Sequence, residues 1–350
     1  MINTEIIKIN KENKEKVLEK GAHIIQNGGL VVFPTETVYG LGANALDENA
    51  VSKIFLAKGR PGDNPLIVHI NKISDLQKIV SSVSDTQKKI MDAFWPGPLT
   101  IIFDKKENVP QNVSGGLSTV AVRMPAHDFA RELIEKAGVP IAAPSANISG
   151  KPSSTLGEYA KKDLFGKVDL IIDEGSSDIG VESTVVKIEK EGLYILRPGA
   201  ITKEMIEREI YLPVYMAEKK EDLKASPGTL YKHYAPKANL ELVKISNGKT
   251  QEQTETTIRE KILTRAKDCE AENKTVGIIG TEENAEFYKK FYPNVFILGS
   301  QNNLLQVSKN LYKGLRFFDD HNVDIILCES FSEEGIGQAI MDRLKKASQF

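Results

Sequence analysis

Only two cysteines occur in the 350 residues, Cys269 and Cys328, with no CxxC spacing and no histidine cluster beside them. A disulfide framework or a structural zinc site is not expected, which fits a reducing compartment. Long apolar runs are also missing. The longest, such as 30–33 and 325–328, are strand-sized, far short of the roughly 20 residues that span a bilayer. Residues 1–20 lack the apolar stretch of a secretory signal, so a cytoplasmic location without membrane contact is the expectation. Neither sign of charge dominates: 46 Lys and Arg against 48 Asp and Glu leave a net charge of -2. A protein that lives by gripping nucleic-acid backbone needs a basic surplus, because phosphate contacts supply most of that affinity. A general nucleic-acid binder is therefore disfavoured, while a local basic pocket is allowed. There is no nucleophile elbow and no metal-ligand spacing, and the five histidines, His23, His69, His127, His233 and His321, are scattered.

At 350 residues the chain exceeds what one core usually serves, so two domains are expected. In the first part, 30–33, 66–70, 99–103, 119–123, 141–143, 168–173, 183–188 and 193–196 read as strands. Helices are expected over 47–57 with Asp47 as cap, over 86–94, and over 127–137 ending at Gly138. Many strands and few helices predict a twisted mixed sheet with flanking helices. The pattern lapses at 211–238, taken as a linker. From 239 to 350 strands and helices alternate strictly, which predicts a small Rossmann-like, doubly wound parallel α/β domain. That part has no GxGxxG after its first strand and no GxxxxGK[ST], so a standard dinucleotide or Walker site is unsupported.

Five segments carry chemistry-bearing residues. Lys58-Gly-Arg60-Pro-Gly-Asp-Asn64-Pro places two cations beside a flexible turn, an arrangement suited to phosphoryl groups. It also fits a basic helix end that offsets the helix dipole, the reading that spacing alone favours. Ser145, Asn147 and Ser153 lie in a polar loop after an apolar strand, where α/β sheets commonly face ligands. Thr35 and Thr37 share the stretch 34–42 with Gly40 and Gly42, whose small size allows close backbone approach. Arg123 ends an apolar strand and suits either bidentate capture of a carboxylate or a structural ion pair. The stretch 226–236 holds Tyr231, His233 and Tyr234 between prolines, a composition closer to a docking lid than to a bland linker.

In this order the strings PTETVYGLGANA, KGRPGDNPLIVHI, FWPGPLT, VAVRMPAH, APSANISGKPSST, ESTVV, LRPGAI and SPGTLYKHYAP resemble the YrdC-like threonylcarbamoyl-AMP synthases, across residues 30–236. The alternating tail resembles the second domain of the longer form of that family. The resemblance implies that ATP, L-threonine and bicarbonate or CO2 give threonylcarbamoyl-adenylate and pyrophosphate. Other proteins would then transfer the threonylcarbamoyl group to the adenosine beside the anticodon of tRNAs reading codons that start with A. It implies Lys58 and Arg60 as catalytic cations, and Arg60, Asn64, Thr119, Ser145, Asn147, Ser153, Arg197 and Tyr234 around ATP. For threonine it implies Thr35 or Thr37, His69, Arg123, Ala143 and Ser183. Magnesium would come with the triphosphate, not from a protein cage. Tyr234 would close as a lid, with Tyr231 and His233 as alternatives, and weak direct tRNA binding is compatible with this.

Two other functions remain open from sequence. One is a non-enzymatic double-stranded RNA or tRNA binder using Lys58, Arg60 and Lys151 on a solvent-facing surface. The other is a carbamoyl-transfer module on the same fold, although such modules carry zinc-finger cysteines that this chain lacks.

Overall fold

Asp47 sets the start of the second helix in the way its side chain dictates: the carboxylate accepts the N–H groups of Asn49 and Ala50 at 2.9 and 3.1 Å. The helix stops at Gly59, whose φ of 61° closes the last turn. Ser84 and Gln87 form a reciprocal capping box, and Gly138, φ 69°, ends the helix beginning at Asp128. The computed structural model describes residues 2–218, 223–228, 233–244 and 251–348, with the backbone alone for 251–255. The chain divides into two compact units, Met1–Ser149 with Ser153–Tyr231, and Gly150–Pro152 with Lys232–Phe350.

The first unit contains β1 (Glu5–Lys8), α1 (Lys14–Gln26), β2 (Val31–Phe33), β3 (Gly40–Asn44), α2 (Glu48–Lys58), β4 (Ile67–His69), α3 (Asp85–Phe94), β5 (Leu99–Asp104), α4 (Gln111–Ser114) and β6 (Thr119–Arg123). It continues with α5 (Asp128–Ala137), β7 (Ile141–Ala142), α6 (Gly157–Leu164), β8 (Leu170–Asp173), β9 (Thr184–Ile188), β10 (Leu193–Arg197), α7 (Lys203–Glu209) and β11 (Val214–Met216). The strands form one mixed sheet in the order β1-β8-β2-β3-β7-β4-β6-β5-β9-β10-β11. Period-two alternation divides its side chains between faces. Val68, Ile101, Phe103, Val120, Val122 and Val186 enter the main core with α2 and α3. Ile67, Ile102, Ala121, Val185 and Leu196 form a thinner apolar layer elsewhere on the sheet. Helices α1 and α5 cover β2 and β8, burying Leu18, Ile25, Phe129 and Leu133.

The second unit contains β12 (Asn239–Val243), α8 (Gln251–Ala271), β13 (Val276–Gly280), α9 (Ala285–Phe291), β14 (Val295–Ile297), α10 (Leu304–Phe317), β15 (Ile325–Glu329) and α11 (Gly337–Ser348). Its sheet is parallel throughout, ordered β12-β15-β13-β14. Ile258, Ile262 and Tyr288 from α8 and α9 pack with Ile278 and Leu327. Gly277, next to Ile278 and so on the opposite face, lies against Phe318 at the end of α10. Among the described residues no helix is long and apolar enough to cross a membrane.

The expected elements are present within a few residues of their predicted ends, and others were not anticipated. Helix α1 is one, with five lysines and glutamates among its 13 residues. Gly40–Asn44, where no strand was expected, is the strand β3, paired antiparallel to β2 and β7. Val214–Met216, expected in the linker, pairs parallel with β10. Of the expected linker, 219–222 and 229–232 lie outside the described residues, Tyr231 among them, as does Ile245, the last residue of the strand expected over 240–245. The glycines of β3 serve packing. A Cβ on Gly42 would sit 2.7 Å from Phe33 Cε1 and 2.8 Å from Ile141 Cγ2. Gly42→Ala is expected to destabilise the protein by about 1–3 kcal/mol through overpacking; urea unfolding of the variant checks this, and unchanged stability would refute it.

Candidate active site

Strand β4 organises the polar residues of the first unit at its two ends. At its C-terminal end His69 pairs in register with Arg123 of β6, and Arg123 with Thr100 of β5. Ser183, just before β9, shares a 2.8 Å hydrogen bond with the Thr100 hydroxyl. Arg197 at the end of β10 donates from Nε and Nη2 to the Ser183 carbonyl at 3.1 and 3.0 Å, and from Nη1 to the Pro227 carbonyl at 3.0 Å. The β2–β3 connection reaches the same place. Arg123 Nη1 donates to Thr37 Oγ1 at 2.8 Å, Nε donates to the Gly97 carbonyl at 3.2 Å, and Nη2 lies 2.6 Å from Glu36 Oε1. The Ala126 amide donates to that same oxygen at 3.0 Å. Thr35 and Thr37 hydroxyls are 2.9 Å apart, and Thr35 also donates to the Val38 carbonyl.

At the N-terminal end of β4 the α2 terminus meets the loop after β7. Lys58 Nζ donates to the carbonyls of Ser145 and Asn147, both at 2.5 Å, while its own carbonyl accepts from the Ser149 amide at 2.9 Å. Arg60 folds onto its own turn, donating to the carbonyls of Asn64 at 3.3 Å and Pro65 at 2.9 Å. Asn64 is buried and its Nδ2 has no hydrogen-bond partner. Thr119 opens β6, two residues before the Ala121 that pairs with Ile67. Ser145 bridges to Gly40, and Ser153 donates to Glu182 at 2.5 Å. The Ala143 amide donates to the Ile67 carbonyl at 2.9 Å, tying the loop's strand to β4. The two ends are one short strand apart, on the order of 10 Å. Between them lies the thin layer of Ile67, Ala121, Ile102, Val185 and Leu196, with Ala217 and Ala225 packed on it.

Thirteen of the predicted site residues are thus gathered around β4 and its neighbours: Thr35, Thr37, Lys58, Arg60, Asn64, His69, Thr119, Arg123, Ala143, Ser145, Asn147, Ser183 and Arg197. Ser153 joins them through Glu182. Tyr234 belongs to the second unit, where it adopts φ 62°, stacks on Tyr312 at 5.5 Å and lies under Arg343. The solvent-facing Lys58 expected from sequence is corrected: the residue is 1% exposed. Its ammonium has exchanged water for backbone carbonyls, as a buried cation must. Lys151 is grouped with the second unit. Glu36 and Thr100 were not singled out by sequence. The available signals were the carboxylate between two threonines and the hydroxyl on the Ile102 face of a strand.

The charges settle in one direction. Burial, and after it the neighbouring Arg123 guanidinium, push the His69 imidazole down to about 3, so it is neutral. Burial works to raise Glu36, but Arg123 and the Ala126 amide outweigh it and hold the carboxyl below its usual range.

A model of the Sua5/YciO/YrdC family, described as "Telomere recombination", matches residues 23–199. The chain belongs to this family. A second model, "Threonylcarbamoyl-AMP synthase, C-terminal domain", matches residues 201–349. The threonylcarbamoyl-AMP synthase of Pyrococcus abyssi is 44% identical over 351 residues, covering 99% of this chain and 98% of that protein. The Bacillus subtilis protein of the same name is 44% identical over 335 residues, covering 95% and 92%. The crystal structure of P. abyssi Sua5 complexed with L-threonine matches with a TM-score of 0.88 at 43% identity, covering 99% of this chain and 97% of that one. A further P. abyssi Sua5 structure, 42% identical with a TM-score of 0.88 and covering 99% and 96%, has an adjacent His–Tyr pair replaced by alanine. Escherichia coli YciO, 24% identical, shares the fold over 57% of this chain.

Lys58→Ala strands two carbonyls in a closed loop and should destabilise the protein by about 1–3 kcal/mol. Arg60→Ala, at a half-buried site, should stay within about 1 kcal/mol. Equal losses in urea unfolding would contradict the contrast. For His69, the unfolded chain takes up a proton near 6.5 and the folded protein only near 3. The unfolded state binds more protons in that window, so stability falls as pH drops through it, by about 1.4 kcal/mol per pH unit for one proton. Glu36 adds loss in the same direction only below its ordinary 4.5. His69→Asn should therefore flatten the stability profile between pH 6.5 and 4.5 and leave its neutral slope unchanged; an unaltered acid slope in unfolding titrations would rule this out.

Proposed function

We propose that the protein makes threonylcarbamoyl-adenylate from ATP, L-threonine and bicarbonate or CO2, releasing pyrophosphate. The observation that carries this reading is the pairing of two polar ends across β4, one built on Arg123 and one on Lys58 with the Ser145–Asn147 loop. An amino acid and a nucleotide held at those ends would meet above a dry layer of Ile67 and Ala121. Dryness matters because a carbamate decomposes readily in water.

The threonine ammonium first gives up a proton to the buffer, the free amine attacks the carbon of CO2, and a second N–H proton leaves as the carbamate forms. A carbamate oxygen then attacks the α-phosphorus of ATP, and the bond to pyrophosphate breaks. In our reading Arg123 holds the threonine carboxylate, with Thr35, Thr37, His69, Ser183 and the Ala143 backbone shaping that end. Asn64, Thr119, Ser145, Asn147, Ser153 and Arg197 line ATP. Lys58 and Arg60 stabilise the charge developing on the phosphates, Lys58 also by setting the loop that it grips. The nucleotide end offers ammonium, amide and hydroxyl groups, which suit a triphosphate that brings its own magnesium ion. When bound, that ion would offset phosphate charge during the displacement.

We assign the chemistry to residues 1–210, read 211–238 as the lid and linker, and read 239–350 as the Rossmann-like domain. Ala225 packs on the apolar layer and Pro227 accepts from Arg197, which supports a covering role for part of that segment. His233–Tyr234 is the one His–Tyr pair in this sequence, and Tyr234 is the residue we assign to the nucleotide. The product would pass to proteins that modify the adenosine next to the anticodon in the cytoplasm, with weak direct tRNA contact allowed. The RNA-binding alternative needs Lys58 on a surface, and Lys58 is buried.

Purified protein with ATP, threonine, bicarbonate and magnesium should release pyrophosphate, and omission of any one substrate should stop it. No release from the complete mixture would sink the proposal. Arg123→Ala should raise the KM for threonine at least about tenfold and that for ATP much less.

A further inference from the structure

The buried ion pair at the Arg123 end contains two charged atoms that lack proper hydrogen bonds. Arg123 Nη2 lies close to Glu36 Oε1 without the alignment of a hydrogen bond, and Glu36 Oε2 has no hydrogen-bond partner. Both residues are more than nine-tenths buried, at 4% and 7% exposure. The enclosed donor is held by Oε1 only as an ion pair, and the enclosed Oε2 has no hydrogen-bond partner, which calls for an explanation. Their segment is otherwise firmly held: the Glu36 carbonyl accepts from Ile179 at 2.8 Å, the Thr37 carbonyl accepts from Gly180 at 3.1 Å, and Glu36 Oε1 accepts from Ala126. Slack in the backbone therefore does not account for the two atoms.

A ligand bearing an acceptor and a donor side by side would satisfy both. The head group of an α-amino acid has that form, with its carboxylate and ammonium on one carbon. We infer that Glu36 binds the substrate's α-ammonium through Oε2, while Arg123 Nη2 donates to the α-carboxylate. The inference rests on the proposed role of Arg123 and adds the residue that recognises the amine. Glu36 stays ionised at neutral pH because Arg123 and the Ala126 amide oppose its protonation. The neutral His69 brings no competing positive charge. A carboxylic acid without an amine would leave Oε2 unsatisfied and set its own charge beside that of Glu36. The pair thus selects amino acids over hydroxy acids of the same shape.

The test compares threonine with the analogue in which a hydroxyl replaces the amine, by titration calorimetry on the full chain. The wild-type protein should bind the analogue at least about tenfold more weakly. Glu36→Gln should weaken threonine at least about tenfold while leaving the analogue unchanged or tighter, so that the gap closes. An analogue within about twofold of threonine on the wild-type protein overturns the inference without need of any variant. So does a Glu36→Gln protein that weakens both ligands equally or neither. Arg123→Ala separates the two readings. If it spares threonine binding, the carboxylate assignment falls, while the amine-dependent gap still reports on Glu36.

Discussion

The guanidinium of Arg123 has surrendered nearly all its hydration, and the protein must replace what water supplied. The replacements come from distant parts of the chain: the Gly97 carbonyl before β5, and the Thr37 hydroxyl and Glu36 carboxylate between β2 and β3. Meeting that demand pulls the β2–β3 connection over the end of the central strands. It orients both threonines and, second to burial itself, helps to keep the neighbouring imidazole neutral. Removing one partner would leave a charge buried without compensation, so the arrangement holds together as a unit.

A second buried cation stands one strand away. Lys58 exchanges its hydration for the carbonyls of Ser145 and Asn147, and Ser149 returns a bond to the Lys58 carbonyl. This lysine acts as a strut as well as a charge. It fixes the loop that carries Ser145 and Asn147, the residues we assign to the nucleotide. With β4 only three residues long, the two cationic ends cannot drift apart, and the thin layer between them is apolar. Shortness of the strand is what keeps the two polar ends near each other.

Much of the architecture was legible because local chemistry and packing agree. Asp47, Ser84 and Gly138 mark helix ends by their own side chains or backbone freedom, and the apolar runs of β5, β6 and β10 can only be interior strands. The second unit's alternation reads directly as a parallel sheet with its helices. Elements that pairing decides were not legible. Strand β3 begins Gly-Leu-Gly, which has no strand propensity of its own. It extends because β2 and β7 flank it, and because Phe33 fills the space above its glycines. Helix α1 hides its apolar stripe of Val17, Leu18, Ala22 and Ile25 among lysines and glutamates. Strand β11 is only three residues long at the end of the sheet order.

The sequence by itself determined the two-part organisation, the family and the kinds of side chain suited to phosphate and carboxylate. Those follow from composition, periodicity and motif order, which a linear chain carries in full. Whether Lys58 faced water or carbonyls, and whether Arg123 stood beside Thr37 alone or beside Glu36 as well, only the tertiary structure decided. Hydration of a charge depends on every segment that packs around it. Here those segments are joined by strand pairing across long separations, which no local stretch of residues records.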